Sequence, residues 1–236
     1  MFTVIPQDTF NELQVDVGVL LNAFDPTSPS APADSAIICA TTGGITVNCT
    51  PTYSDWGEDV DNCPNNTKEL KRLEGWSCSM TTTCLSTSAE SIKLALGAAD
   101  KTGATYAASE DTAVNASKVY YTRTGTSPNY VYTKVASPTG NPSTSNYYEM
   151  TAPGDKVTPR ATLNQSDFSS AIWWVGDRAD GGLVAVKMIN ALGTGGFNLQ
   201  TTKKGKGQFA LELTGHVPIN AQSVVPMEFY SMDPTA

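Results

Sequence analysis

Charged side chains are scarce in this sequence: Asp, Glu, Lys and Arg make up 16% of its 236 residues, whereas about a quarter is usual in globular domains. It has a single histidine, and no apolar run approaches the roughly 18 residues that a membrane-spanning helix needs. It also lacks a Walker phosphate-binding loop, a Gly-x-Ser-x-Gly nucleophile turn and a His-Glu-x-x-His zinc motif. We therefore expect no enzyme activity, no cofactor, no metal site and no membrane partner.

The charge that is present is mostly acidic, with a formal net charge of −8. Because tight binding to phosphates comes from clustered Lys and Arg, such a chain is predicted to bind nucleic acid poorly. The acidic charge suits either solubility alone or a surface that nucleic acid passes without sticking. The N-terminus has neither the basic segment nor the apolar segment of a secretory signal. We expect a protein that stays in the cytoplasm in which it is made.

The five cysteines do not form a recognisable metal or disulfide framework. None belongs to a Cys-x-x-Cys pair, and an odd count argues against a complete set of bridges. In the strand-like segments around them, cysteines alternate with Ser, Thr and Asn, as in Trp76-Ser77-Cys78-Ser79-Met80. We predict that four of them are small core residues and that Cys63 lies exposed in a turn; the four are Cys39, Cys49, Cys78 and Cys84.

The first hundred residues predict strands and one helix. Residues 13–24 favour one strand or two short ones, 25–35 are a Pro- and Ser-rich loop, and 36–54 predict a hairpin that turns at Gly43-Gly44. Residues 68–85 predict a long strand or a bent pair of strands. A capping-box pattern at Thr87–Glu90 then starts a helix of three turns, with Gly97 or Gly103 as its end.

Two charged segments flank the start of that long strand. Residues 55–67 form a polar loop that lacks the regular spacing of a calcium-binding EF-hand, so a solvated acidic loop is the favoured interpretation. Its notable residues are Asp55, Trp56, Glu58, Asp59 and Asp61. The following segment alternates charges of both signs, carried by Lys68, Glu69, Lys71, Arg72 and Glu74.

Residues 101–158 differ in composition from the rest of the chain. Seven of the nine tyrosines lie there, between Gly- and Pro-containing turns, and no Cys or Trp does. This pattern predicts a small β-rich surface insert, with a long ordered loop as the alternative. The sequence therefore predicts a discontinuous core domain of residues 1–100 and 159–236, interrupted by the insert.

The segment from Asp167 to Leu213 contains three apolar runs separated by Gly-rich turns. Runs of this kind favour a sheet built for packing and strand pairing, and residues 225–230 predict a last strand at a sheet edge. Three lysines form the chain's basic cluster in a turn of this segment, either simply solvated or placed for an inter-subunit salt bridge: Lys203, Lys204 and Lys206. The fold class predicted overall is mainly β, sandwich- or barrel-like, with one flanking α-helix.

Three segments together resemble the major tail tube protein of siphovirus-type bacteriophages, which carry long non-contractile tails. They are VIPQDTFNELQVDVGVLLNAFDP near the start, WGEDVDNCPNNTKELKRLEGWSCSMT in the first half, and IWWVGDRADGGLVAVKMINALGTGGFNLQTTKKGKGQFALELTGHVPINAQSVVPMEFY at the end. The last segment is the most specific. Residues 101–158 resemble, more loosely, the small β decorations inserted in phage structural proteins.

This resemblance implies a structural virion protein. Six copies form a ring, rings stack into a tube, and strands of all six subunits join in one barrel around a lumen that holds double-stranded DNA and the tape-measure protein. Tail-tip and terminator proteins are further implied partners, and assembly in the host cytoplasm followed by residence in the virion tail is the implied localisation. The tube would be the conduit for DNA ejection, with the insert on its exterior.

The same resemblance suggests roles for the charged residues. The loop with Asp55, Trp56, Glu58, Asp59 and Asp61 is a candidate inter-ring contact. The strands that carry Lys68, Glu69, Lys71, Arg72 and Glu74 are candidates for the subunit interface or the lumen. Lys203, Lys204 and Lys206 are candidates for inter-subunit salt bridges.

Other interpretations remain open at this stage. A tail terminator or capsid decoration protein has similar β content, and a terminator makes one ring instead of a polymer. A bacterial surface adhesin-like β protein shares the Thr-, Ser- and Asn-rich strands but requires export. A carbohydrate hydrolase on a β scaffold requires a carboxylate pair across a cleft, which no motif in the sequence indicates.

Overall fold

The computed structural model describes residues 6–127, 129–152 and 154–234. Strands hold 45% of the chain and helical segments 8%, so the predicted mainly-β, sandwich-like class with one α-helix is confirmed. The chain divides into two compact units, which we call the core unit (Met1–Ala99 with Pro159–Ala236) and the insert unit (Asp100–Thr158). Residues 4 and 5, where the first phage-like segment begins, lie outside the described residues.

The strands are numbered in chain order. They are β1 (Val19–Leu21), β2 (Thr41–Asp55), β3 (Lys71–Cys84), β4 (Ala99–Thr102), β5 (Thr105–Ala108), β6 (Tyr120–Thr126), β7 (Asn129–Lys134), β8 (Tyr147–Ala152), β9 (Lys156–Pro159), β10 (Ser169–Asp177), β11 (Leu183–Gly193), β12 (Phe209–Gly215) and β13 (Met227–Met232). The helix α1 (Ala89–Leu96) lies between β3 and β4.

The core unit is built on one antiparallel network in which β11 changes partner. The order is β1-β10-β11-β12-β3-β2, with β13 also paired to β11. Residues Leu183–Met188 of β11 pair with β13, whereas Ala191–Gly193 pair with β12. Asn190, between the two stretches, has a φ of 48°, a left-handed conformation that asparagine tolerates better than most residues. The change of partner turns the sheet back over itself into two layers.

Two apolar clusters account for the burial of β10 and β11 on both faces. The larger one lies between the layers and joins residues of β10, β11 and β13 to residues of β12, β3 and α1, among them Ile172, Met188, Met227, Leu211, Met80 and Ala95. The smaller one packs Trp173 and Val175 against Leu21 and Ala185 on the other face. Burial on both faces explains why β10 carries the continuous apolar run Ile172–Val175 instead of an alternating pattern.

Of two strand predictions for the first half of the core unit, one was confirmed in part and the other was wrong. Residues 13–24 contain one short strand, β1, and Gln14 forms an isolated bridge with Arg178. Residues 36–54 do not form their own hairpin: β2 runs straight through Gly43 and Gly44, where the register with β3 shifts. Both glycines have positive φ, 78° and 81°, so they supply a bulge and not a turn.

The helix begins one residue later than the sequence predicts and ends at Gly97, the first of the two predicted stops. Ser88 is the N-cap, and its hydroxyl accepts a hydrogen bond from the backbone N–H of Ser91 at 3.2 Å. The helix stops at Gly97: its N–H makes the last helical bond, to the Lys93 carbonyl at 3.1 Å, and its φ of 67° then turns the chain out of the helix. Eight residues make about two turns, not three.

The cysteine prediction was correct for burial in three cases but wrong about bonding. Cys39, Cys78 and Cys84 are buried, whereas Cys49 and Cys63 are half-buried. Cys39 and Cys84 are joined by a disulfide, which links the start of β2 to the end of β3. Cys63, predicted to be exposed, lies 3.4 Å from the hydroxyl oxygen of Thr67.

The insert unit contains a four-stranded antiparallel sheet in the order β5-β8-β6-β7, and β4 pairs with β9 where the chain enters and leaves it. On one face, the fully buried Tyr120 donates its hydroxyl hydrogen to Asp111 at 2.6 Å. On the other, Tyr106 stacks on Tyr132 with ring centroids 3.9 Å apart. The tyrosines that mark this segment in the sequence thus form much of its own packing.

Candidate assembly surface

The hairpin of β2 and β3 extends beyond the core. The two strands pair from Thr41–Cys84 at one end to Asp55–Lys71 at the other. Along β3, Met80 and Cys78 are buried, but Trp76 is 39% exposed and Leu73 is 51% exposed. The apolar face of the hairpin therefore continues past the point where the rest of the core unit covers it.

We call the uncovered part of this face the distal strip; it consists of Pro51, Tyr53, Leu73 and Trp76. Pro51 pairs with Trp76, and Tyr53 pairs with Leu73 after a register shift that leaves Glu74 as an extra residue in β3. Because β2 alternates without interruption, Pro51 and Tyr53 share the face of Cys49, and the shift brings Leu73 to that face beside Trp76. Tyr53 is 57% exposed. Several large apolar side chains grouped on one exposed face are typical of a surface that contacts another protein.

Strand β2 also has a free edge. It pairs with β3 on one side, and within the described residues no strand pairs with its other side. The free edge of this 15-residue strand presents a row of backbone N–H and C=O groups that favours pairing with another chain. Pro51 lacks an N–H and so interrupts this row near its distal end, as expected for an edge strand.

The face of the hairpin opposite the distal strip is polar and uncharged along most of its length. In the ladder, Thr46 pairs with Thr81, Asn48 with Ser79 and Thr50 with Ser77. On β12, which lies next to β3, Glu212 pairs with Thr81 and is exposed, whereas Leu211 and Leu213 point into the core. This Thr-, Ser- and Asn-rich face contains no Lys or Arg at these positions.

Asp55 organises the loop that follows β2. Its carboxylate accepts hydrogen bonds from the backbone N–H groups of Gly57 at 3.0 Å and Asn66 at 2.8 Å, and it lies 3.6 Å from the Lys71 ammonium. The bonds from Gly57 and Asn66, together with the charge of Lys71, hold the pKa of this carboxyl below its usual value. Asp55 is thus a structural residue of the loop.

Replacing Asp55 with alanine is expected to loosen the loop of residues 55–67 without unfolding the core. Amide hydrogen exchange at Gly57 and Asn66 should accelerate by roughly tenfold, because each N–H loses its acceptor. Because the folded-state pKa is lowered, the protection by Asp55 should be complete above about pH 4 and be lost as the pH falls through that folded-state pKa. Two-dimensional NMR measures both effects.

The control is Asp59→Ala, which removes an exposed carboxylate from the same loop. Equal acceleration in the two variants would contradict the assigned role of Asp55.

The other residues predicted in this region lie at separate places. Glu58, Asp59 and Asp61 are exposed on the loop, and the exposed ring of Trp56 lies beneath the Arg72 guanidinium at 5.2 Å. Lys71, Arg72 and Glu74 lie on β3, and Glu74 hydrogen-bonds the hydroxyl of Ser54. Lys68 and Glu69 were predicted in a strand but belong to a short 3-10 helix before β3, since residues 68–70 form a turn that closes the loop.

The three lysines lie at the other end of the hairpin. Lys203, Lys204 and Lys206 are exposed on the loop between β11 and β12, and within residues 6–127, 129–152 and 154–234 none of them forms an ion pair. Lys206 lines a surface cleft together with Thr42, near the start of β2. The acidic loop follows the end of the same strand, so the two charged loops are separated by roughly 40 Å along it.

The distal strip was missed in the sequence analysis, although a signal was present. The apolar alternation Ile45, Val47, Cys49 continues through Pro51 to Tyr53, and this pattern predicts core along its whole length. The sequence does not indicate where the covering layer ends.

Among the described residues, no helix has the length and hydropathy for a membrane span, and no group of three or more Asp, Glu, His or Cys side chains is placed to hold a metal ion. No protein-family model matches the sequence, and no curated protein is significantly similar to it.

Proposed function

We propose that this chain is a structural subunit of a phage tail tube, forming hexameric rings that stack into a conduit for DNA. The observation that carries the proposal is the β2–β3 hairpin, which combines a free strand edge with an exposed apolar face. Together with the family resemblance, this pairing of features supports a chain that completes its sheet with a neighbouring copy.

Within a ring, β2 would pair edge to edge with a strand of the next subunit. A closed ring removes the free edges of all its subunits, which turns an aggregation hazard into a means of assembly. The open 15-residue edge of β2 supports this arrangement. The number six comes from the resemblance.

The distal strip would be covered by the same neighbour. Burying the exposed parts of Tyr53, Leu73 and Trp76 would contribute on the order of 3 kcal/mol per subunit, at about 25 cal/mol per Å² of apolar surface. This contribution recurs at every contact around a ring. The distal strip would therefore contribute binding affinity between neighbouring subunits, while pairing of the strand edges would fix the register in which they join.

The lumen would be lined by the Thr-, Ser- and Asn-rich face of the hairpin. DNA binds to proteins by releasing counterions to clustered Lys and Arg. A face built of uncharged side chains such as Thr46, Asn48 and Thr50 offers no such cluster. The insert unit has five acidic and five basic residues, so the net charge of −8 lies entirely on the core unit. Both features favour passage of DNA without binding.

Rings would stack head to tail through the two charged loops at opposite ends of the hairpin. The acidic loop exposes Glu58, Asp59 and Asp61, and the lysine loop exposes Lys203, Lys204 and Lys206. A contact between two different surfaces of one chain repeats without closing and so produces an open filament. Charge complementarity would set the polarity of stacking.

Reversing the charge of one loop is expected to block stacking. With Lys203, Lys204 and Lys206 all replaced by glutamate, the concentration needed for polymerisation should rise at least tenfold at low salt, because acidic loops then face each other. All three side chains are exposed, so the subunit should stay folded. Sedimentation of polymer at 50 mM salt measures the effect.

The matched variant is Glu58→Lys, Asp59→Lys, Asp61→Lys, which makes both ends basic. At concentrations at which the unmodified protein polymerises, neither variant should polymerise alone, whereas a mixture of the two should form rods of alternating composition. Unchanged polymerisation of each single variant at low salt would contradict the stacking contact.

The insert unit would lie outside the tube, since 59 additional residues per subunit would obstruct a channel. Tape-measure protein inside the lumen, and tail-tip and terminator proteins at the tube ends, are the proposed partners. Assembly would take place in the host cytoplasm and the product would reside in the virion.

Negative-stain electron microscopy of the purified protein tests the proposed function. We expect hollow rods with a regular axial repeat at high concentration or after addition of tail-tip complexes. Single rings that never extend would favour a terminator. A monomer at every concentration, even with tail tips present, would refute the proposal.

A further inference from the structure

Two cysteines face each other across the hairpin at the base of the distal strip. Cys49 of β2 and Cys78 of β3 are direct partners in the antiparallel register, and their sulfur atoms lie 3.4 Å apart. Both are free thiols, distinct from the disulfide between Cys39 and Cys84. Neither the proposed assembly surface nor the main packing of the core needs a thiol at these two positions.

We propose that Cys49 and Cys78 are a redox-active dithiol that closes to a cross-strand disulfide by exchange with a low-molecular-weight disulfide such as oxidised glutathione. Direct partners in an antiparallel pair have Cα atoms about 4.5–5.5 Å apart, which lies within the range that a disulfide spans. A bond length of about 2.05 Å requires the two sulfur atoms to approach by little more than 1 Å from their present separation. Side-chain rotation supplies that movement without a change of strand register.

The accessibility of the two thiols sets the order of events. Cys49 is half-buried and Cys78 is buried, so Cys49 is the thiol that an external disulfide reaches. The Cys49 thiolate attacks one sulfur of oxidised glutathione, the disulfide bond breaks, and one glutathione thiolate leaves. Cys78 then loses its proton and attacks the Cys49 sulfur, which releases the second glutathione thiolate. The two protein thiols lose two electrons, oxidised glutathione gains them, and the two released protons are available to the glutathione thiolates.

The second step is expected to be slow. In the reduced protein, burial raises the pKa of Cys78 to about 12, with a smaller contribution from the neighbouring thiol of Cys49; burial still raises this pKa once Cys49 carries glutathione. Within the described residues, Cys49 is the titratable group that acts on Cys78, since the surrounding cluster is apolar. The thiolate is the reactive form, so closure should accelerate by about tenfold per pH unit between pH 7 and pH 9.

The bridge would join β2 to β3 two ladder positions before the distal strip. The next pair on the same face is Pro51–Trp76, which begins the exposed part of the hairpin. A covalent bond at this position would keep the strip in one conformation before it meets a neighbouring subunit. This consequence rests on the proposed function, whereas the chemistry of the dithiol does not.

The experiment uses the full chain with Cys63→Ser, which removes the remaining free thiol. The protein is treated with oxidised glutathione, unfolded without reductant and alkylated, and its intact mass is measured. We expect two fewer alkyl groups than in the untreated protein and no retained glutathione. Fragmentation of the chymotryptic peptides should assign the new bond to Cys49 and Cys78, with the Cys39–Cys84 bond unchanged.

The variants Cys63→Ser/Cys78→Ser and Cys63→Ser/Cys49→Ser serve as matched controls. The first should stop at a glutathione adduct on Cys49, and the second should react little because Cys78 is buried. Oxidation should raise the Tm of the Cys63→Ser protein by about 5 °C or more and leave both controls unshifted.

Three outcomes would each overturn the proposal: retention of glutathione on Cys49 beside an intact Cys78, alkylation of both thiols after treatment, or a bridge to Cys39 or Cys84. Mass and Tm are read on the unpolymerised subunit, so failure of the tube proposal would leave this result interpretable.

Discussion

Replacement of Leu73 with glutamate is expected to abolish polymerisation while the subunit stays folded. Leu73 is 51% exposed in the isolated chain, so the substitution removes little intrachain packing. In a ring it would place a carboxylate inside an apolar contact, and burying an unpaired charge costs several kcal/mol. Together with the lost apolar contact, this should raise the concentration needed for assembly by at least about 100-fold. Analytical ultracentrifugation over a concentration series measures the shift.

The chain offers a matched control on the insert unit. Val119 is a large apolar residue of similar exposure, 45%, and the proposed tube places it on the exterior. Val119→Glu should therefore assemble as the unmodified protein does. Polymerisation of Leu73→Glu at the unmodified concentration, or equal loss of assembly in both variants, would rule out the distal strip as the subunit contact. Circular dichroism at low concentration verifies that both variants are folded.

The sequence predicts the faces of the hairpin better than its extent. Alternation of Ile45, Val47 and Cys49 with polar residues correctly indicates which side of β2 faces the core. Whether that face is covered depends on residues far away in the chain, which supply the second layer only as far as Cys78 and Met80. The local pattern is the same in covered and uncovered parts, so the distal strip could not be separated from the core.

Glycine pairs show a related ambiguity. A Gly-Gly step between apolar runs is typical of a hairpin turn, because both residues tolerate positive φ. Gly43 and Gly44 do adopt positive φ, but they use it for a bulge inside a strand that continues to Asp55. The deciding factor is that β2 pairs with β3. Because β3 begins nearly thirty residues later in the chain, a local sequence pattern cannot predict this pairing.

Cysteine bonding lay outside what spacing alone could predict. The disulfide joins Cys39 to Cys84 across 45 residues, because the hairpin brings the start of β2 next to the end of β3.

The insert unit was easier to find, since its boundaries coincide with a change in composition that requires no knowledge of pairing. The candidate charged residues were also visible in the sequence, but their placement at opposite ends of one hairpin required the topology.

Substitution of Gly193 with alanine is expected to be among the most destabilising single changes in the core unit. Gly193 ends β11 directly beneath the C-terminal turn of α1. A Cβ at this position would overlap the carbonyl oxygen of Leu94 and lie 3.0 Å from that of Ala95. Backbone atoms cannot rotate away as a flexible side chain can, so either the helix or the strand must shift, and Ala95 would leave the core with it.

Overpacking against a fixed backbone typically costs about 3 kcal/mol, which corresponds to a fall in Tm of roughly 6–12 °C for a chain of this size. Gly75→Ala is the control, because no atom lies within 4 Å of the Cβ it would add and its φ is not positive. That variant should melt within about 2 °C of the unmodified protein. Differential scanning calorimetry of dilute, unpolymerised protein gives both values. If Gly193→Ala melted together with Gly75→Ala, the close packing of α1 on the end of β11 would be wrong, and so would the assignment of α1 as a fixed cover of the core.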